Sequence, residues 1–223
     1  MRSFWRTFDR STVQAVLPIC VTVMLVGVSY GVTAAAAGFP LWQVIALAVL
    51  VLGASSELLF VALVALGAAP AIAAGAALLV NLRTAAYGMA AGPLLRPGRG
   101  RLLGAHLVND ETVALATAQD TPREGRRAFW ACGIGIALAW PLGAGIGVGV
   151  GQVVPDPSDW GLDAVFPAVI AALVLPALRE RATLAATAVG GTLALVGLPH
   201  LPPGLAPVLA LLGLAVVPLA RMR

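Results

Sequence analysis

A succession of apolar stretches, each close to the length needed to cross a lipid bilayer, leaves this chain little freedom of fold class. A bilayer's hydrocarbon core takes about 20 apolar residues as a helix, because there the backbone must satisfy its own hydrogen bonds. The stretches cover residues 13–37, 41–66, 69–94, 102–118, 129–150, 162–178, 182–198 and 204–219. Charged residues make up 11% of the chain, against about a quarter in soluble domains. An all-α integral membrane protein is expected. It should be one permease domain over residues 1–223, a polytopic bundle of seven or eight transmembrane helices with some broken or re-entrant.

The N-terminus carries Arg2, Arg6 and Arg10 before its first apolar run. That run exceeds the 7–15 apolar residues or so of a signal peptide, and further spans follow, so it reads as the first helix. Arginines at span ends set the expected topology by the positive-inside rule. Arg123, Arg126, Arg127, Arg179, Arg181, Arg221 and Arg223 mark cytoplasmic ends, whereas the connection bearing Asp156, Asp159 and Asp163 should be external. Arg96, Arg99 and Arg101 conflict with this pattern unless residues 102–118 fail to cross fully, which makes that stretch the candidate re-entrant or broken element. A weak internal echo places Gly31 on Gly149 and Trp42 on Trp160, as in transporters built from repeats.

All 14 basic residues are arginine. Without a lysine there is no Schiff base to retinal or pyridoxal, and no cofactor is expected. Cys20 and Cys132 lie mid-span and read as small apolar residues, not a metal or disulfide framework. A net charge of +4 carried mostly at span ends asks for no nucleic-acid partner. The absence of a His cluster, or of a nucleophile and base at usable spacing, argues against an enzyme.

Charges inside the apolar stretches carry the functional signal. A charge near the bilayer centre costs on the order of 3 kcal/mol or more, so it persists only in a bundle interior, a watery cavity or an ion pair. Glu57, Arg83, Asp110 and Glu111 are such charges. On a helix Arg83 and Tyr87 share one face, with Asn81 and Thr84 beside it. Arg83 suits either a carboxylate clamp or a structural salt bridge to Glu57 or Asp110. Gly53, Ser55 and Ser56 precede Glu57: a helix break there would aim backbone N–H groups at an anion, while an unbroken helix would use the serines for packing. Ser29, between Gly27 and Gly31, reads the same two ways. His106 stands four before Asp110 as a candidate proton relay, against a plainer reading in which Asp110 is an N-cap with Glu111 in the first turn. The candidate substrate-binding or coupling residues are therefore Ser55, Ser56, Glu57, Asn81, Arg83, Tyr87, His106, Asp110 and Glu111. Gly143, Gly145, Gly147, Gly149 and Gly151 lack the context of a dinucleotide loop, and their four-residue spacings suit close helix packing within the chain or against a partner. His200, between two prolines, reads as a solvated loop residue.

The run from Leu78 to Gly88, with Asp110-Glu111, Ala114 and Leu115 after it, Gly53-Ala54-Ser55 before it, and Gly161-Leu162-Asp163 and Phe166-Pro167-Ala168 downstream, resembles the AzlC family. This is the large subunit of branched-chain amino acid exporters. The resemblance spans nearly the whole chain. It implies a multi-pass permease of the bacterial inner membrane that exports valine, leucine, isoleucine and sometimes methionine, driven by the proton gradient or membrane potential, with a small AzlD-like membrane subunit as partner. Where the family is expected to read Gly-Ala-Ser-Gln, this chain has Ser56, followed by Glu57. A channel or ion permease, with the acids and Arg83 as a fixed selectivity ring, and a non-transporting membrane scaffold are the alternatives.

Overall fold

The computed structural model describes residues 10–95, 98, 100–153, 171, 175, 178–201 and 209–217, and these are helical with short connections. In chain order they form α1 (Arg10–Ala36), α2 (Leu41–Leu50), α3 (Ala54–Ala65), α4 (Pro70–Asn81), α5 (Arg83–Ala91), α6 (Gly100–His106), α7 (Asp110–Thr117), α8 (Pro122–Val153) and α9 (Arg181–Gly197), with a 3₁₀ segment over Ala210–Val216. Among them Thr12–Ala36, Pro70–Leu94 and Pro122–Val153 are long and apolar enough to cross a membrane. Of the other expected spans, 41–66 and 102–118 are interrupted, and 182–198 appears as the 17-residue α9. Most of 162–178, residues 204–208 and 218–219, and the connection through Asp156, Asp159, Trp160 and Asp163 lie outside the described residues, as do Arg2, Arg6, Arg96, Arg99, Arg221 and Arg223.

The frame of the molecule is the pair α1 and α8, whose backbones meet through glycines. A methyl group at Gly31 would run into the Ala144 carbonyl, one at Gly147 into that of Val28, and one at Gly143 into that of Met24. A Cβ on Gly27 would stand 2.9 Å from the Trp140 carbonyl oxygen. Close backbone approach of this kind is how helices gain packing energy where lipid removes the hydrophobic drive. Four of the five ladder glycines, Gly143, Gly145, Gly147 and Gly151, thus face other parts of the chain, whereas a Cβ on Gly149 would meet nothing. The outer side of α8, with Leu138, Leu142 and Ile146, stays exposed at helical spacing. In the proposed echo, Gly31 is packed and Gly149 is open, so the two positions do not share a role.

Against this frame lie short helices. At about 1.5 Å per residue, the 10-residue α2 and 12-residue α3 each reach roughly halfway across a bilayer. α3 turns back into α4 through Gly67, whose φ of 85° is the left-handed conformation a glycine adopts without strain. The pair closes over Leu63, Ala73 and Ala76. Between α4 and α5 only Leu82 intervenes, itself helical at φ −56° and ψ −25°, so the run through Arg83 loosens without breaking. The interruptions at 51–53 and 107–109 are true breaks.

Candidate functional site

The break after α2 centres on Leu52, which holds a positive φ of 50°, uncommon for a bulky residue. In a continuous helix the Val49 carbonyl would accept from the Gly53 N–H, four residues on. Here the two are separated and each finds a side chain instead. Gly53 N–H donates to Glu57 Oε1 at 2.8 Å. The Val49 carbonyl lies 2.8 Å from His106 Nε2, and since a carbonyl only accepts, Nε2 carries the proton. Ser56 Oγ donates to the Gly53 carbonyl at 2.8 Å.

Glu57 is 1% exposed. Trp140 Nε1 donates to it from α8, at 3.2 Å to Oε1 and 3.1 Å to Oε2. The indole stacks on Tyr30 of α1, ring centroids 5.2 Å apart, and the Tyr30 hydroxyl is buried beside the carboxylate without a hydrogen bond of good geometry. Among the described residues no guanidinium comes within ion-pair distance of Glu57. Its stabilisation comes from aimed N–H donors, as a buried carboxylate requires.

The second break precedes α7. Asn109 Oδ1 accepts from the Thr112 N–H at 2.8 Å and the Asn109 N–H donates to Thr112 Oγ1 at 3.0 Å, a reciprocal cap. The Thr112 hydroxyl reaches the Leu107 carbonyl at 3.0 Å. Asn109, not Asp110, is therefore the N-cap, with Asp110 and Glu111 in the first turn. His106 closes α6 and Asp110 opens α7, so the helical face they were expected to share does not exist. His106 is committed to Val49 across the cavity.

Arg83 joins the two breaks. Its Nη2 donates to Ser55 Oγ at 2.9 Å, and its Nη1 stands 3.7 Å from Asp110 Oδ2, with both side chains about four-tenths exposed. Of the two acidic partners open to Arg83 in the sequence, the structure selects Asp110. Asn81 Oδ1 accepts from Thr84 Oγ1 at 3.1 Å across the loosened turn.

These groups line a cavity of about 550 Å³. Its polar side holds Ser55, Asn81, Arg83, His106, Asp110 and Glu111, and its apolar side Ile19, Val23 and Val26 of α1 with Ile136 and Trp140 of α8. Six of the nine residues singled out in sequence thus share one wall. Ser56 and Glu57 are buried behind it, and Tyr87 packs against the core. Trp140 and Thr112 were not anticipated. A tryptophan in an apolar span looks like packing until its partner is known, whereas Asn109 three residues before Thr112 is a cap spacing legible in sequence.

The sequence model of the AzlC protein family matches residues 18–154, most of the chain and every element that lines the cavity. The chain belongs to the AzlC family. This family is associated with membrane transport and is not a family of enzymes. Neither the curated proteins nor the solved structures give a match. Within this AzlC-family chain, the matched segment opens in α1 and closes just past α8, so it contains the whole glycine-packed frame.

Proposed function

We propose that the protein is a secondary transporter that exports branched-chain amino acids across the bacterial inner membrane as a multi-pass permease, together with a small AzlD-like membrane subunit. The observation that carries this reading is the two-sided cavity. Arg83 and Asp110 present opposite charges at one side, and aliphatic side chains of α1 and α8 form the other. A zwitterion with an apolar side chain asks for that combination. Its carboxylate would take the Arg83 fork and the N–H groups at the start of α3, which have no partner within their own helix. Its ammonium would take Asp110 and Glu111. The side chain would rest against Ile19, Val23, Val26 and Ile136.

Membership of the family supports transport as the class of activity. The partner subunit rests on the same membership, and its seat is not the Gly143 and Gly147 face, which α1 already covers. Counterflow tests the reading. Proteoliposomes loaded with unlabelled leucine should accumulate external labelled leucine transiently when this chain and its small subunit are present, and valine and isoleucine should compete. Uptake that never saturates and shows no overshoot would identify a channel instead. Full activity of the large chain alone would remove the small subunit from the proposal.

A further inference from the structure

Among the backbone pairs that the interruption between α2 and α3 separates are the Gly53 N–H and the Val49 carbonyl. Each is met by a side chain that is remote along the chain or buried. The carbonyl receives His106, 57 residues away at the end of α6, at 2.8 Å. The N–H receives Glu57 at 2.8 Å, and Glu57 is itself fixed by Trp140, 83 residues away on the α1 and α8 frame. Leu52, with φ 50°, lies between the two ends and cannot relax into helix while both are engaged. Gly53, Ala54 and Ser55, the residues so held, form part of the cavity wall, and Ser55 is the residue that Arg83 grips.

We propose that His106 and Glu57 are a pair of positioning residues that together stand in for the Gly53-to-Val49 backbone hydrogen bond, one of those lost between α2 and α3, and so hold residues 51–55 as a wall of the cavity. Neither needs to touch the transported molecule. This differs from a proton-relay role for His106, because donation to Val49 is available from the neutral Nε2–H tautomer and from the imidazolium alike. The other charged groups that share the cavity with His106 are Arg83, Asp110 and Glu111, and a pH dependence of transport would belong to the carboxyl groups, since a guanidinium keeps its proton. Since His106 is exposed to the cavity, water competes for the Val49 carbonyl. Losing the imidazole therefore loosens the break without undoing the bundle.

Backbone hydrogen–deuterium exchange on the purified chain in nanodiscs, read on a peptide covering residues 47–57, measures the break directly and owes nothing to the transport reading. The transport arm alone rests on the proposed function. His106→Leu, which removes the donor, should speed exchange in this peptide at least tenfold and lower counterflow. His106→Gln, with an amide N–H at about the same reach, should restore slow exchange and at least half the rate, with an unchanged pH profile. His106→Asn keeps the polarity but is one methylene shorter, and should exchange as fast as the leucine variant, so the test survives a leucine variant that fails to fold. Unchanged exchange in both His106→Leu and His106→Asn overturns the proposal. So does fast exchange in His106→Gln, or a shifted pH profile in that variant. Absence of counterflow in every chain alongside the expected exchange pattern would reject amino acid export and leave the positioning role standing.

Discussion

Trp140 and Glu57 are 83 residues apart in sequence, yet one indole N–H serves both oxygens of the carboxylate, at 3.2 and 3.1 Å. The contact ties the long helix α8 to the start of the short helix α3. Trp140→Phe keeps an aromatic ring against Tyr30 but strips the carboxylate of this donor. A buried acceptor losing its partner costs about 1–3 kcal/mol. Thermal unfolding in detergent should register that loss, and a midpoint equal to that of the unaltered chain would show that Glu57 finds another donor.

Arg83 reaches Ser55 and Asp110 with different nitrogens of one guanidinium. Lysine keeps the charge but not the planar fork. Arg83→Lys and Arg83→Gln are both expected to lower counterflow at least tenfold. If the pair with Asp110 were only structural, Arg83→Gln combined with Asp110→Asn would recover transport. The expected result is that the double variant stays inactive.

Asp110 is the cavity acid that pairs with Arg83, its side chain about four-tenths exposed. We expect Asp110→Asn vesicles to exchange leucine downhill while failing to concentrate it in response to an imposed pH gradient. Concentrative uptake by this variant would move coupling to Glu111, the neighbouring acid on the same wall.

Packing gives a prediction independent of transport. Gly31→Ala or Gly147→Ala sets a methyl group against a backbone carbonyl that has no flexible end to yield. Overpacking of this kind typically costs about 1–3 kcal/mol. Gly149→Ala, with nothing to meet, should leave the unfolding midpoint within error of the parent, and equal destabilisation by all three would refute the contact.

Sequence showed the class, the long helices and six of the cavity residues because each rests on a local signal. Apolar runs define spans, and a charge such as Arg83 in lipid must face something polar. The break at Gly53 was legible as one of two alternatives, and its outcome depended on Glu57 and His106 lying within reach of a backbone that sequence does not position. The relay expected between His106 and Asp110 assumed a continuous helix. The shared helical face is absent because Asn109 and Thr112 cap a new helix between them. Trp140 was silent because nothing within its own span shows that a carboxylate 83 residues earlier will face its indole.

The seam between α1 and α8 also sets an order of events in biosynthesis. Met24, Val28 and Gly31 meet their partners only when Gly143, Ala144 and Gly147 have left the ribosome, after all the interrupted helices. Gly53 meets Glu57 as soon as α3 is made, but Val49 gains its replacement partner no sooner than α6, and Trp140 arrives last to fix Glu57. The emerging chain therefore carries its least lipid-compatible stretch unsupported until its longest helix is made. Chains truncated before residue 140 should accordingly be the ones that membrane proteases remove, and a truncation after residue 153 the first to persist.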